Sequence, residues 1–278
     1  MQDPGRGAAA QWVLPKVEAE NLYYKTFQSQ AAGQNVSYLI YVPAGYDQAQ
    51  DKRFPVVYWL HGIGGNQSGV PHFVERLDAA VVAGKCPPML VVFVNGMKDS
   101  FYCDAVDGKT PVESVIVKDL IPYIDRTYRT VSHREGRIIE GFSMGGFGAA
   151  HLGFKYPELF GAVSIIDGAL LELSTMQGRH AAQYEKFFGS SAEKFAAENP
   201  RSLIPKNAVA VRGKTVVRQA VGQLAEYNRS FHEQMTGLKI AHDYDAFEGV
   251  GHNQALIYDR LGDKNWEWYR KALASVLN

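Results

Sequence analysis

A serine flanked by glycines is the feature of this sequence that most directly suggests chemistry. The apolar segment "RIIEGF" leads into Ser143, and the helix-like run "FGAAHLGFKY" follows within a few residues. A strand that turns so abruptly into a helix strains the backbone at its apex, where Gly141 and Gly145 have no Cβ to clash. The turn exposes the hydroxyl beside the N–H groups that begin the helix. The pattern G-x-S-x-G predicts a nucleophilic serine; a tightly packed glycine turn is the alternative.

A serine hydroxyl needs a base, and the chain contains eight histidines. A histidine can take the serine proton and later return it to the leaving alcohol. His252 follows the last predicted strand in the glycine-flanked loop "GVGHNQ", which can bring it to Ser143. His151 is expected two turns into the helix after the serine, and His61 is expected to hold a glycine loop by hydrogen bonds. We therefore predict His252 as the base.

The loop "HGIGGN" follows the third main predicted strand and precedes a helix. The attack of a serine on an ester creates an oxyanion, and each backbone N–H aimed at it contributes about 3–4 kcal/mol. The N–H of Met144, directly after the serine, and that of Ile63, directly after His61 and Gly62, are the expected donors. An ordinary flexible turn is the other interpretation of this loop.

The elements that must position these residues alternate between strand and helix. Two segments, "NLYYKTFQSQ" and "QNVSYLIYVPAGY", predict an antiparallel pair joined at Ala32 and Gly33. Six short apolar runs follow, and such runs suit a sheet buried on both faces. The predicted helices between and after them are 71–83, 112–127, 145–155, 226–237 and 264–276. This alternation predicts an α/β fold with a doubly wound, mostly parallel sheet, whose chemistry collects at the carboxyl ends of the strands.

Two segments depart from the alternation. Residues 168–213 are polar and helix-prone, and we expect them to form a small helical cap over the active-site edge, with a surface excursion as the alternative. Residues 1–20 begin with the Gly/Ala-rich "MQDPGRGAAAQ", which lacks an apolar signal core and suggests a flexible leader. Residues 21–278 are expected to form a single domain. A periplasmic or secreted location is the preferred hypothesis, and a cytoplasmic one stays open.

The composition excludes several classes of partner. Of the 278 residues, 46% are hydrophobic, and lysine plus arginine balance aspartate plus glutamate at 29 each. Such a chain has no global field that would attract nucleic acid, and it has no apolar run as long as the roughly 20 residues of a membrane span. A small molecule or a polymer suits it better as a partner. The sequence does not indicate an oligomeric state.

The two cysteines are expected to be free thiols. Cys86 precedes and Cys103 follows the apolar run 89–94, and a strand there separates its ends by roughly 20 Å, too far for a disulfide. Neither cysteine has other ligand residues at zinc-like spacing, so we predict no metal site.

Five segments together resemble a known family: "YVPAGYD", "FPVVYWLHGIGG", "RIIEGFSMGGFGA", "YPELFGAVS" and "GVGHN". They are similar to the esterase D-like family that includes feruloyl and acetylxylan esterases, S-formylglutathione hydrolases and the mycolyltransferases. The likeness runs from about Tyr38 to the C-terminus and is poor in the expected cap. It implies an α/β-hydrolase fold, an acyl-enzyme mechanism without a cofactor, and a carboxylic ester substrate.

The carboxylate that should orient the histidine departs from the family pattern. Such relatives carry Gly-x-x-Asp after the seventh strand, where this chain has "AVGQLAEYNRS". Glu226 is the nearest carboxylate in that connection, and Asp167 at the end of "AVSIID" is its rival. We prefer Glu226, and a Ser–His dyad is the third option; Asp243 and Asp245 lie within the last strand and should point away.

The sequence thus predicts a serine carboxylesterase, with feruloyl or acetyl esters of plant-wall polysaccharide as substrates. In "NGMKDSFYCDAVDG", Phe101 and Tyr102 are expected to offer an aromatic surface to the substrate, or else to be packing residues. Acyl transfer to a sugar or lipid alcohol is a second function. A non-catalytic carbohydrate-binding relative without a triad acid is a third.

Overall fold

The computed structural model describes residues 11–65, 67 and 69–277. These residues form one eight-stranded sheet with helices around it. Its strand order is β1-β2-β4-β3-β5-β6-β7-β8. The first two pairings, β1 with β2 and β2 with β4, are antiparallel, and all the others are parallel. The strands are β1 (Leu22–Ser29), β2 (Gln34–Tyr41), β3 (Val56–Leu60), β4 (Leu90–Val94), β5 (Arg137–Phe142), β6 (Ala162–Ile166), β7 (Val216–Val221) and β8 (His242–Ala246).

Helices connect the parallel strands, as the alternating sequence pattern predicts. The segment after β4 begins as α2, passes through a π-helical stretch at Val115–Leu120 and continues as α3. Four helices lie between β6 and β7, so residues 168–213 are largely helical; their role as a cap stays an expectation. The helices are α1 (Val70–Val82), α2 (Val112–Ser114), α3 (Ile121–Thr127), α4 (Met144–Lys155), α5 (Leu173–Gln177), α6 (Ala181–Phe188), α7 (Ala192–Glu198), α8 (Pro200–Val211), α9 (Ala225–Gly237), α10 (Gln254–Leu261) and α11 (Asp263–Ala272).

The apolar strands are buried because helices cover both faces of the sheet. Every residue of β3, β4 and β6 is buried. Alternate side chains enter two separate cores, so that Tyr58 packs on one face and Trp59 on the other. The predicted doubly wound, mostly parallel sheet is confirmed. Its parallel strands all end at one edge, where the loops after β3, β5, β6 and β8 meet.

The N-terminal segment packs against the sheet earlier than the sequence suggested. Residues 1–10 of the expected leader lie outside the described residues. Trp12 is only 2% exposed, and its carbonyl oxygen accepts hydrogen bonds from the Ser37 N–H at 2.8 Å and from Asn95 Nδ2 at 2.9 Å. A flexible leader up to residue 20 is therefore wrong from Trp12 onward, because this segment satisfies buried polar groups of the sheet.

The prediction for the cysteines is confirmed. Strand β4 lies between them, and both Cys86 and Cys103 are buried free thiols. No helix among residues 11–65, 67 and 69–277 is long and apolar enough to cross a membrane.

A buried polar network ties the helices after β8 to the centre of the sheet. Glu140 of β5 accepts hydrogen bonds from Arg218 of β7 at 2.6 Å, from the Tyr258 hydroxyl of α10 at 2.6 Å and from the Tyr269 hydroxyl of α11 at 2.7 Å. The Arg218 guanidinium also lies over the Trp268 ring at 4.2 Å. A buried carboxylate is tolerated only with such partners. The network therefore fixes α10, and with it the loop that precedes it, relative to β5.

Replacing Glu140 by Gln should lower the free energy of unfolding by about 3–5 kcal/mol, because the buried Arg218 charge is left uncompensated. Urea denaturation measures the change. The matched control is Asp243→Asn, which breaks the exposed pair with Lys271 and should cost no more than about 1 kcal/mol. Equal effects of the two variants would contradict the structural role of the buried pair.

Candidate active site

The nucleophile candidate lies on a strained turn between β5 and α4. Ser143 has φ 58° and ψ −116°, a conformation that residues with a Cβ rarely adopt. The turn packs tightly against β3, and this is possible because Gly145 has no Cβ. A Cβ at Gly145 would lie 2.0 Å from the Leu60 carbonyl oxygen. The constraint places the Ser143 hydroxyl at the carboxyl edge of the sheet.

His252 connects this serine to a carboxylate. Its Nε2 lies 2.8 Å from Ser143 Oγ, and its Nδ1 lies 2.6 Å from Asp167 Oδ2. In the neutral tautomer Nδ1–H donates to Asp167, which leaves Nε2 free to accept the serine proton. The arrangement has the hydrogen-bonding order of a catalytic triad.

Asp167, and not Glu226, is the carboxylate in contact with His252. Asp167 follows β6, is 0% exposed and has φ 41°. Three N–H groups of the turn after β7 donate to it, from Gly222 and Leu224 at 2.9 Å and from Gln223 at 3.2 Å. Within the described residues the Glu226 side chain makes no hydrogen bond or ion pair. The sequence-based order of the two carboxylates is thus reversed, because the turn that should carry the acid supplies backbone donors instead.

Two further residues position the histidine, and the sequence analysis missed both. Gln223 Oε1 accepts a hydrogen bond from the His252 N–H at 3.1 Å, and the Gln223 N–H donates to the Gly251 carbonyl oxygen at 3.2 Å. The Phe142 ring stacks on the His252 ring, with centroids 4.6 Å apart and an interplanar angle of 28°. Their only signal in the sequence is position, since Phe142 precedes the serine and Gln223 lies in the turn after β7.

The two expected oxyanion donors lie beside Ser143. Met144 is the first residue of α4, so its N–H has no partner inside the helix. Ile63 lies in the loop after β3, next to Gly62, where an added Cβ would be 3.3 Å from Ser143 Cβ. Neither N–H donates a hydrogen bond to any group in the described part of the chain. Both are available to an acceptor at the serine.

His61 shapes the loop that carries Ile63. Its Nδ1–H donates to the Gly62 carbonyl oxygen at 2.8 Å, and its Nε2 accepts from the Gly96 N–H at 3.2 Å. Burial lowers the pKa of His61, although the bond to Gly62 raises it, so the ring is neutral. Gly65 packs so closely on this ring that a Cβ there would lie 2.0 Å from Nδ1. His61 has the loop-holding role expected for it.

Phe101 and Tyr102 do not form a substrate surface. They are 1% and 0% exposed, and both have positive φ angles that turn their rings into the fold. The Tyr102 hydroxyl donates to the His61 carbonyl oxygen at 2.9 Å, and the Phe101 ring meets Phe147 edge to face. The expected exposed aromatics are therefore wrong, and the alternative of packing residues is what the structure shows.

His151 belongs to a different cluster, behind α4. Its Nε2–H donates to Glu113 Oε2 at 2.7 Å, and its Nδ1–H donates to the Glu198 carbonyl oxygen at 2.8 Å. The Tyr156 hydroxyl also donates to Glu113. The Glu113, His151 and Glu198 ligand atoms lie within 4.8 Å of one another, the spacing of a metal site. However, Lys155 Nζ lies 2.8 Å from Glu113 and 2.5 Å from Glu198, and it supplies the cation of this cluster.

The charges of this cluster are mutually stabilised. Burial would raise the pKa of Glu113, but the hydrogen bonds from His151, Lys155 and Tyr156 outweigh it and lower that pKa to about 2. Burial would lower the pKa of His151, but the neighbouring Cys103 and the Glu113 carboxylate hold it well above its ordinary value. His151 therefore stays protonated and is unsuited to act as a base.

Comparison with known proteins identifies the class. A family model described as putative esterase matches residues 29–278. The chain therefore belongs to this esterase family. The family resemblance noted in the sequence is confirmed.

Two curated relatives share part of the chain. It is 28% identical over 191 residues to an endo-1,4-beta-xylanase/feruloyl esterase of Xylanibacter ruminicola, a match that covers 66% of this chain and 26% of the relative. It is 32% identical over 150 residues to an esterase of Mycobacterium tuberculosis, with 53% of this chain and 32% of the relative covered. The chain thus spans only a quarter to a third of the length of these relatives.

Solved structures show the same fold. A ferulic acid esterase superposes with a TM-score of 0.77 at 20% identity, over 90% of this chain and 98% of that one. An S-formylglutathione hydrolase from Agrobacterium tumefaciens gives a TM-score of 0.71 at 20% identity, over 91% and 95% of the two chains. The fold is of the α/β-hydrolase type.

Changing Glu113 to Gln should reduce stability in a pH-dependent way. The folded-state pKa of Glu113 is about 2, below the ordinary 4.5. The ionised Glu113 side chain therefore contributes to the free energy of unfolding above pH 4.5, and this contribution is lost as pH falls towards 2. The difference in unfolding free energy between wild type and variant should be roughly 3 kcal/mol at pH 7. Denaturant titrations from pH 7 to 3 measure it. A difference that does not shrink below pH 4.5 would contradict this assignment.

The carboxylate contacts predict opposite results for two charge-removing variants. Asp167→Asn should lower kcat for ester hydrolysis by up to about four orders of magnitude with little change in KM, because the amide no longer fixes the histidine tautomer. Glu226→Gln should have nearly wild-type activity, and it is the matched control. Steady-state kinetics with p-nitrophenyl acetate measures both. A crippled Glu226→Gln beside an active Asp167→Asn would overturn the pairing seen in the structure.

Proposed function

We propose that this chain is a serine carboxylesterase that works through an acyl-enzyme. The observation that carries the proposal is the unbroken series of hydrogen bonds from Asp167 through His252 to Ser143, at distances of 2.6 and 2.8 Å. These groups meet at the carboxyl edge of the sheet in a member of an esterase family. Nucleophile, base and orienting acid are the three parts that such chemistry needs.

Each part has a defined role in acylation. His252 Nε2 takes the Ser143 proton as Oγ attacks the ester carbonyl carbon, and Asp167 stabilises the resulting imidazolium. The N–H groups of Ile63 and Met144 donate to the oxyanion. His252 then returns the proton to the alcohol oxygen, the C–O bond breaks, and the acyl group stays on Ser143.

Deacylation repeats these steps with water as the nucleophile. The His252 side chain is 32% exposed, so water can approach Nε2 at the acyl-enzyme. His252 takes a proton from the water, the hydroxide adds to the acyl carbon, and Ser143 leaves with that proton. No cofactor enters the reaction.

For the substrate, we propose feruloyl or acetyl esters of plant-wall polysaccharide. The support is the resemblance noted in the sequence and the name of the Xylanibacter ruminicola relative, an endo-1,4-beta-xylanase/feruloyl esterase. The equal numbers of acidic and basic residues also suit a neutral polymer.

The test is the reaction of Ser143 with a fluorophosphonate, which labels only an activated serine. Wild type should be labelled and should hydrolyse p-nitrophenyl acetate. Ser143→Ala should abolish labelling and lower kcat by about six orders of magnitude without changing the melting temperature, since the hydroxyl contributes little to packing. The matched control is Ser174→Ala on α5, which should be labelled like wild type.

An unlabelled but folded wild type would identify a non-catalytic relative and refute the proposal. Labelling at a serine other than Ser143 would refute the site. Product analysis in the presence of an added alcohol separates hydrolysis from acyl transfer: free acid supports the esterase, and a new ester as the main product supports the transferase.

A further inference from the structure

The Tyr102 side chain lies between the two elements that carry the expected oxyanion donors. Its ring packs on Gly148 of α4, the helix that begins with Met144, and a Cβ at Gly148 would lie 2.4 Å from the ring. The ring also packs on Gly96, where a Cβ would lie 2.2 Å from it. The hydroxyl donates to the His61 carbonyl oxygen, in the loop after β3, at 2.9 Å. One side chain therefore spans the helix and the loop.

The loop after β3 presents its N–H donor through a single peptide group. The Gly62 carbonyl oxygen accepts hydrogen bonds from His61 Nδ1–H at 2.8 Å and from the Gly65 N–H at 3.1 Å. The peptide group between Gly62 and Ile63 is trans. Because such a group is planar, the Ile63 N–H points away from that carbonyl oxygen. The bonds that hold the Gly62 carbonyl group thus also fix the direction of the Ile63 N–H.

The Tyr102 hydroxyl holds the preceding peptide group of the same loop. It bonds to the His61 carbonyl oxygen and so fixes His61 at the backbone, while the Gly96 N–H fixes the imidazole through Nε2 at 3.2 Å. With backbone and ring both fixed, His61 Nδ1–H stays directed at the Gly62 carbonyl oxygen. Loss of the Tyr102 bond would free the His61 backbone and, through it, the Ile63 N–H.

The backbone at Tyr102 is strained. Tyr102 has φ 61° and Phe101 has φ 52°, in the left-handed region that aromatic residues seldom adopt. Ser100 holds this turn, since its Oγ accepts from the Tyr102 N–H at 2.9 Å and donates to the Gly96 carbonyl oxygen. Backbone strain of this kind persists where the surrounding structure imposes it, and it is concentrated at functional sites.

The Tyr102 hydroxyl is a permanent hydrogen-bond donor at neutral pH. Burial raises the pKa of Tyr102 well above its ordinary value, although the bond to His61 lowers it. A phenylalanine at this position would keep the ring between Gly96 and Gly148 and would remove only the bond to His61.

We infer that Tyr102 is a positioning residue for the oxyanion hole, and that it sets the place of the Ile63 N–H relative to the Met144 N–H. This inference rests on the proposed esterase function. The buried Tyr102 does not touch the substrate; it acts through His61 and through its contact with α4. Two N–H groups must meet one oxyanion in the transition state, so a displaced donor weakens the transition state more than the bound ester.

The test is Tyr102→Phe, measured by steady-state kinetics with p-nitrophenyl acetate. We expect kcat to fall at least about tenfold, but by no more than the roughly 10²–10³-fold that a deleted oxyanion donor costs. KM should change by less than about twofold. A trifluoromethyl ketone, which Ser143 attacks to form a bound oxyanion, should lose affinity by the same factor as kcat/KM.

The matched control is Tyr41→Phe, which removes a buried hydroxyl far from the site. Tyr41 is 0% exposed, donates to Asp78 Oδ1 at 2.7 Å and lies where β2 pairs with the beginning of β4. Both variants should lower the melting temperature by similar amounts, but Tyr41→Phe should retain wild-type kcat and ketone affinity. Equal kinetic effects of the two variants, or an unchanged kcat in Tyr102→Phe, would overturn the inference.

A second variant disturbs the same contact from α4. The Cβ of Gly148→Ala would displace the Tyr102 ring and leave its hydroxyl present, so kcat should again fall at least about tenfold. The control is Gly153→Ala, whose Cβ would meet Val163 at 2.4 Å and should leave kcat unchanged. The double variant with Tyr102→Phe should lose less than the product of the two single losses. Independent losses would show that the two residues do not act through one contact.

Amide hydrogen exchange distinguishes failure of this inference from failure of the esterase proposal, because it needs no turnover. The Gly64 N–H bonds to the Lys98 carbonyl oxygen at 2.7 Å and the Gly65 N–H to that of Gly62 at 3.1 Å. Both should exchange faster in Tyr102→Phe than in wild type or Tyr41→Phe. Unchanged exchange refutes the positioning role even in an active enzyme that fluorophosphonate labels. An unlabelled wild type refutes the esterase proposal and this inference together.

Discussion

The turn at Ser143 is the constraint on which the candidate site depends. A residue with φ 58° and ψ −116° is strained unless the surrounding structure holds it, and here β3 does so by approaching too closely for any Cβ at Gly145. The same closeness brings the loop with Ile63 beside the serine. Because β3 and β5 are parallel neighbours, one contact positions both the nucleophile and the backbone donors.

The second half of the site depends on a carboxylate that joins two strands. Asp167 follows β6, yet three of its hydrogen bonds come from the turn after β7 and the fourth from His252, after β8. Its negative charge compensates the N–H dipoles of Gly222 and Leu224, which donate to no other group among the described residues. The acid therefore organises the turn after β7 as well as the histidine.

The sequence could predict the elements and not the contacts between them. Ser143, His252 and the loop with Ile63 follow apolar runs at strand ends, and parallel strands bring their ends to one edge. The choice of Asp167 over Glu226 depends on N–H groups 55 or more residues away, which no local pattern records. The prediction that Phe101 and Tyr102 are exposed was wrong for a similar reason. Their burial follows from positive φ angles that aromatic residues seldom adopt.

Phe142 links the histidine to the turn that carries the nucleophile. Its ring stacks on the His252 ring, with centroids 4.6 Å apart. Because Phe142 directly precedes Ser143, the backbone of Phe142 is held by the same strained turn. A ring held in this way keeps the imidazole of His252 at the angle from which Nε2 reaches Ser143 Oγ at 2.8 Å.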